Sequence, residues 1–186
     1  MCGGQGTRLR PDVTGEKPLV DVGGRPMIAH VLAALDESDV GTIYAAVSPS
    51  TPDTTAWLEP TDVRVIETAG EGYVADLSAA LDVVGRPVLT VTADLPLLAA
   101  EHVDRAIRAA DGDSLTVCVP LAVAERVVET VETTVDHDGS TVVPTGLNVV
   151  GTDATRHVVW DDRRLALNVN RPVDRQRATR WLSDTV

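Results

Sequence analysis

Short apolar, β-branched runs alternate along the chain with Ala-rich stretches whose apolar residues recur every three or four positions. That alternation predicts an α/β domain with a mostly parallel sheet flanked by helices. Residues 26–36 place Met27, Ile28, Val31, Leu32 and Leu35 on one helical face. Further helices are expected over 73–84, with Leu77, Leu81 and Val84 on the apolar side, and over 101–110, 122–132 and 173–182. Strands are expected over 42–47, 62–67, 88–93, 115–121, 147–150 and 165–169. Residues 88–93 are nearly unbroken in apolar character, the pattern of a strand buried on both faces. Residues 48–52 and 68–72 read as loops, and Asp136-His137-Asp138-Gly139 as a hairpin turn. No repeat, low-complexity tract or linker interrupts the pattern, so 1–186 is expected to form a single domain.

Composition narrows the class. A chain of 186 residues can bury a full core without disulfides or structural metal. The net charge of -12 argues against a nucleic-acid partner, which would need a basic stripe. No apolar run approaches a membrane span and no signal peptide is visible, so a soluble cytoplasmic protein is expected. Cys2 and Cys118 have no metal-ligand spacing and read as free thiols. Lys17 is the only Lys against fifteen Arg, and Phe is absent. Abundant carboxylates, hardly any Lys and small apolar side chains point to a halophile's cytosol, where salt screens the self-repulsion. Nothing in the pattern specifies an oligomeric state.

The strongest chemical signal is Gly3-Gly4-Gln5-Gly6-Thr7-Arg8-Leu9-Arg10, followed by Glu16-Lys17-Pro18-Leu19. Glycines let a backbone approach a triphosphate and turn its N–H groups toward the oxygens. Arg8 and Arg10 add guanidinium forks, and Lys17 a compact charge that can follow leaving pyrophosphate. No Gly-Lys-Ser/Thr follows, so this is not a Walker A loop, and it is not Gly-x-Gly-x-x-Gly either. Only Met1 and Cys2 precede Gly3, although in this class of fold a buried strand feeds such a loop. A first strand is therefore expected upstream, missing from the N-terminus as the sequence stands.

Asp94 ends the apolar run of 88–93 at the edge of the sheet where α/β ligands bind. A carboxylate there can hold Mg²⁺ on a triphosphate, or a ribose hydroxyl. Asn168 and Asn170 flank Val169 at another expected strand end, so one of them can reach the same metal. Thr68-Ala69-Gly70-Glu71-Gly72-Tyr73 is a second Gly-rich turn between strand and helix, where backbone groups can read a base edge. Ser48 and its neighbours at an earlier strand end can line the same pocket. The three Trp and four His show no ladder or ligand spacing. His30 reads as a satisfied structural group, and Asp161 to Arg164 as a solvated turn.

The first loop with EKPL resembles the nucleotidyltransferases of the sugar-phosphate and cofactor-guanylylating type. In order along the chain follow SPSTPDT, ETAGEGYVADL, TADLPLL, VPTGLNVV and LNVNRPVD. Together they resemble the archaeal GTP:adenosylcobinamide-phosphate guanylyltransferases over nearly the whole chain. The resemblance implies a single Rossmann-like nucleotidyltransferase domain that moves GMP from GTP to a phosphorylated corrinoid, with pyrophosphate leaving and Mg²⁺ as the metal. It assigns catalysis to Arg8, Lys17 and Asp94. GTP would be bound by Gly3, Gly4, Gln5, Gly6, Thr7, Arg8, Lys17, Ser48, Thr68, Gly70, Gly72 and Tyr73. The acceptor would meet Gly146 and Asn148, and the metal Asp94, Asn168 and Asn170. Cys2 stands where such loops usually carry Ala, one small residue for another. A molybdenum-cofactor guanylyltransferase and a sugar-1-phosphate nucleotidyltransferase are the neighbouring readings; a non-catalytic GTP sensor is the reading from another class.

Overall fold

The structure is a computed structural model that describes residues 1–3, 9, 15–152 and 155–184. A 3₁₀ turn at Lys17–Leu19 leads into a small antiparallel pair, β1 (Asp21–Val22) and β2 (Arg25–Pro26). Then come α1 (Met27–Asp36), β3 (Tyr44–Val47), α2 (Pro52–Leu58), β4 (Arg64–Glu67) and α3 (Tyr73–Val84). The second half holds β5 (Val88–Val91), α4 (Ala100–Ala110), β6 (Ser114–Pro120) and α5 (Leu121–Ala124). It closes with β7 (Val135–His137), β8 (Ser140–Val150), β9 (Thr155–Val159) and α6 (Pro172–Asp184).

The expected α/β class holds: helices flank mixed β-structure. β3 pairs parallel with β4. The larger sheet has the order β5-β8-β6-β9, with β7 also on β8. β6 and β9 are parallel, but β8 is antiparallel to β5, β6 and β7. The long return of β8 through the middle makes the antiparallel share larger than the alternating pattern predicts.

Burial follows chemistry. β6 lies between β8 and β9, and its Leu115, Val117, Cys118 and Val119 are fully buried. α4 covers this sheet with Val103, Ala106 and Ala110, three or four positions apart. α1 buries Met27, Ile28, Val31, Ala34 and Leu35, while Leu32 is only partly buried. Both cysteines are free and buried, and desolvation pushes the Cys118 thiol up to about 11, so it is an inert packing group. His30 is satisfied as expected, its Nε2 lying 2.7 Å from the Val22 carbonyl.

Several expectations are corrected. Residues 165–169 form no strand, with 165 and 166 ending a turn and 167–169 irregular, although Leu165, Leu167 and Val169 are fully buried. Their apolar run packs on the core with no ladder, and the Val169 N–H donates instead to the Asp94 carbonyl at 2.8 Å. The helix expected over 122–132 is only Leu121–Ala124. Val127, Val128, Thr130 and Val131 follow it, and β-branched side chains are poor at continuing a helix. Residues 147–150 are the end of the longer β8; β9 and α2 were hidden by weak periodicity. Asp162 is not in a solvated turn: its carboxylate meets His102 Nε2 at 3.0 Å and Arg164 at 2.7 Å. Residues 88–93 shorten to β5, which is a half-buried sheet edge rather than a strand covered on both faces.

Gly146 interrupts β8 with φ +88, a conformation that side chains disfavour. A Cβ there would lie 2.5 Å from Thr92 Oγ1. Gly146→Ala should therefore destabilise by about 1–3 kcal/mol, read as a lowered urea midpoint with an unchanged slope. Thr92→Ala in the same background removes the clashing hydroxyl and should recover only part of the loss, because the φ cost stays.

Candidate active site

Four predicted residues come together at the ends of separate elements. The 3₁₀ turn, with Pro18 setting its first φ, presents Lys17 toward the turn after β5. Lys17 Nζ donates to Asp94 Oδ2 at 2.5 Å and to Asn170 Oδ1 at 2.7 Å. Asn168 Nδ2 donates to Asp94 Oδ1 at 3.1 Å and to the Thr145 carbonyl at 3.2 Å. Burial opposes ionisation of Asp94, but the Lys17 ammonium, by charge and by hydrogen bond, outweighs it. The Thr92 hydroxyl and the Asn168 amide add to the effect, so the carboxyl lies below its ordinary range. Asp94 is ionised throughout the neutral range.

Carboxylates that sequence reasoning missed hold this cluster in place. Glu16 accepts from the backbone N–H groups of Asp53 and Thr54, both at 2.7 Å, and from Thr54 Oγ1 at 2.5 Å. It thereby caps the N-terminus of α2 with a negative charge and fixes the residue next to Lys17. Asp174 Oδ2 accepts from the N–H groups of Asn170 and Arg171 at 3.2 and 2.9 Å. This fixes Asn170 at the entry to α6, although burial raises the Asp174 carboxyl above its ordinary value. An acid beside the lone Lys, and one just inside a helix, were the available signals.

A second group gathers around Gly3. A Cβ on Gly3 would lie 3.4 Å from Ser48 Oγ and 3.5 Å from Asp76 Oδ2. A Cβ on Gly70, whose φ is +74, would lie 3.2 Å from Ser48 Cβ. The loops after β3 and β4 therefore close on Gly3 at ordinary contact distance, while at Gly70 the positive φ and the tighter contact both favour glycine. Asp76, buried in the first turn of α3, accepts from the Gly70 N–H at 2.9 Å and ties the second loop to its helix. Ser48 Oγ accepts from the Ser50 N–H, while Thr68 Oγ1 donates to the Val47 carbonyl at 2.8 Å.

The remaining positions fall around these groups. Gly72 precedes α3 with φ +113 and open space beside it. Tyr73 is exposed; partial burial raises its phenol above the ordinary value, the neighbouring Thr90 hydroxyl opposing and the Asp94 charge adding. Asn148 sits across from Thr90 on β5, and Gly146 is one residue past the Thr145 carbonyl that Asn168 contacts. Gly4, Gln5, Gly6, Thr7, Arg8 and Arg10 lie outside the described residues.

The donors suit a hard divalent cation. Asp94 and Asn170 offer oxygen, and the Lys17 ammonium already sits between Asp94 Oδ2 and Asn170 Oδ1 as a stand-in cation, while Asn168 turns its amide nitrogen to Asp94. One carboxylate is a usual protein share for Mg²⁺ that is otherwise held by substrate phosphates. No cluster of three or more His, Cys, Asp or Glu exists among the described residues, so an all-protein cage is not what this site offers.

Lys17 against Asp94, with Asn168 and Asn170 beside them, forms a polar cluster where separate elements end, the kind of place where α/β enzymes take their ligands. The chain belongs to the family of MobA-like NTP transferase domains, whose model matches residues 1–183, and it is a nucleotidyltransferase. It is 32% identical over 163 residues to the adenosylcobinamide-phosphate guanylyltransferase of Methanocaldococcus jannaschii, covering 81% of this chain and 78% of that protein. The resemblance seen in the motifs is borne out by that relative. Its fold is similar to a Bacillus anthracis structure described as a glucose-1-phosphate thymidylyltransferase, at TM-score 0.71 and 15% identity over 98% of this chain and 93% of that one. It is also similar to a CMP:2-keto-3-deoxy-manno-octonic acid synthetase complexed with CTP, at TM-score 0.69 and 14% identity over 91% and 92%. No described helix is long and apolar enough to cross a membrane.

Because Lys17 and a divalent cation claim the same oxygens, they should compete. In the nucleotide-free protein, Lys17→Gln should tighten Mn²⁺ binding at least about tenfold, measured by electron paramagnetic resonance of free Mn²⁺. Asp94→Asn should abolish that binding in either background. Equal Mn²⁺ affinity with and without Lys17 would remove Asp94 from the metal's ligands.

Proposed function

We propose that the enzyme transfers GMP from GTP to the phosphate of adenosylcobinamide phosphate, giving adenosylcobinamide-GDP and pyrophosphate. The observation that carries the reading is the Lys17–Asp94–Asn170 contact at the turn after β5. It puts the only Lys of the chain at a carboxylate that closes an apolar strand. The corrinoid acceptor rests on the likeness to the Methanocaldococcus protein and on the motifs shared along the chain.

The acceptor phosphate is already an anion, so no covalent enzyme intermediate is required. Attack in line on the α-phosphorus forms the new P–O bond as the bond to the β-phosphate oxygen breaks, and both electrons leave with pyrophosphate. Catalysis is then positioning and charge stabilisation. Lys17 and Arg8, with the loop amides, neutralise the β- and γ-phosphates as charge accumulates there. Gly3, Ser48, Gly70 and Tyr73 shape the edge of the nucleotide pocket, and Gly146 and Asn148 lie on the acceptor side. Asp94 with Asn168 or Asn170 would hold Mg²⁺, which would supply charge neutralisation to the phosphates. Asp94 accepts hydrogen bonds from both Lys17 and Asn168, which sets the geometry of that seat before substrate arrives.

Lys17→Ala should lower turnover by about 10²–10³-fold, the scale for removal of one stabilising donor. Far-ultraviolet circular dichroism should be unchanged, since Lys17 is not a core residue. Near-normal turnover would remove Lys17 from the chemistry.

The acceptor is tested by pyrophosphate release with GTP and Mg²⁺ in high salt, with and without adenosylcobinamide phosphate. Release is expected to depend on the corrinoid and to favour GTP over ATP, CTP and UTP. Release driven instead by mannose 1-phosphate or by molybdopterin would replace the acceptor while keeping the reaction. Binding of GTP with no release for any acceptor would make the protein a sensor.

A further inference from the structure

His102 is a buried titratable side chain that the chemistry above does not use. It lies in the first turn of α4, and both of its ring nitrogens are engaged. Nδ1 accepts from the Ala99 N–H at 3.0 Å, and Nε2 meets Asp162 Oδ2 at 3.0 Å. A backbone N–H can only donate, so Nδ1 is the bare nitrogen and Nε2 carries the proton given to Asp162. Burial lowers the His102 pKa below its ordinary value, with the Asp162 hydrogen bond opposing, so the ring is neutral at pH 7. The charge stays on Asp162. Burial opposes its ionisation, but hydrogen bonds from Arg164 and His102 outweigh that and hold the carboxyl below the usual range.

The start of α4 grips the same segment twice more. Arg164 Nη2 donates to Glu101 Oε1 at 2.7 Å, and the Arg105 guanidinium lies 4.1 Å from the centre of the Trp160 ring. Two runs of chain lead from this grip to the reacting centre. One runs back from His102 to Asp94 through Leu98, Leu97 and Leu95; the other runs forward from Asp162 to Asn168 through Leu165, Ala166 and Leu167. All six of these apolar residues are buried. Among the described residues, a single backbone hydrogen bond joins the two runs, from the Val169 N–H to the Asp94 carbonyl. Beside it Asn168 Nδ2 donates to Asp94 Oδ1. The far end is tied by His102 and Asp162. Apolar burial has no direction and sets no register, whereas hydrogen bonds at both ends do.

We propose that His102 is a positioning residue of the transfer site: through its Nε2–H it anchors the 162–168 run on α4 and so sets where Asn168 and Asn170 meet Asp94. The inference rests on Asp94 and its Asn neighbours being the reacting centre, and not on which acceptor the enzyme uses. Without the anchor the run slides on its apolar contacts, and Asn168 loses its hold on Asp94 and on the Thr145 carbonyl together. Misplacement of this kind costs turnover more than nucleotide binding.

Two substitutions separate the two bonds of the ring. In His102→Gln the amide nitrogen takes the place of Nε2 and keeps a donor on Asp162. In His102→Asn the amide oxygen takes the place of Nδ1 and keeps the Ala99 N–H satisfied, but nothing reaches Asp162. The first readout is hydrogen exchange of the Asn168 side-chain amide by nuclear magnetic resonance, its signals identified by their loss in Asn168→Asp. It needs no substrate. Exchange should be at least about tenfold faster in His102→Asn and within about threefold of the unsubstituted protein in His102→Gln. The second readout is pyrophosphate release with GTP, Mg²⁺ and adenosylcobinamide phosphate, taken well below each thermal midpoint, where a purely structural role leaves kcat untouched. His102→Asn should lower kcat at least about tenfold with KM for GTP little changed, and His102→Gln should restore it. Asp162→Asn breaks the link from the other side with the Ala99 bond intact, and should match His102→Asn in both readouts. Unchanged Asn168 exchange in His102→Asn and Asp162→Asn would overturn the inference, as would equal effects of Asn and Gln at position 102. Absence of release from the unsubstituted protein would count against the corrinoid acceptor alone, and the exchange rates would still decide the role of His102.

Discussion

A single ammonium between two oxygen ligands organises the site. Lys17 reaches Asp94 and Asn170 from sequence positions far apart, and everything around it serves to hold those three groups in register. The contact is only partly buried, with side-chain exposures of 14% for Lys17 and 17% for Asp94, so both remain open to substrate. A fully buried pair would be locked by desolvation, whereas an exposed one would be screened and mobile. The intermediate position lets Lys17 hold the carboxylate ionised while leaving it within reach of solvent.

Around this contact the chain repeats one device: a carboxylate that accepts backbone N–H groups at the start of a helix. Glu16 does so for α2, Asp76 ties the second glycine turn to α3, and Asp174 does so at the entry to α6. Each satisfies N–H groups that a helix terminus or turn leaves free, and each sits within a few residues of a site position. In a chain of net charge -12, these carboxylates are not surface charge alone. They convert helix starts into rigid brackets for Lys17, Gly70 and Asn170.

The site was legible in part. Lys17 stood out as the only lysine, and Asp94 as the carboxylate closing an apolar run. Asn168 and Asn170 were read as strand-end ligands, and they do reach the cluster, although their segment forms no strand. What supports them was not legible. Glu16 gains its role from α2, whose seven residues have little apolar periodicity. Asp76 and Asp174 look like ordinary first-turn acids until their burial is known. Hydrogen bonds between residues so distant in sequence leave no local pattern to read.

By itself the sequence determined the alternating class, the positions of α1, α3, β3, β4 and α4, and the second glycine turn. These depend on period, propensity and residue type, which are local. The tertiary structure alone decided that β8 runs antiparallel between β5 and β6, and that apolar 165–169 packs without a ladder. It also decided that β5 is a sheet edge and that Lys17 meets Asp94. Sheet order and partner choice depend on which surfaces meet once the chain is closed, and hydrophobic pattern specifies that a strand is buried without saying what covers it.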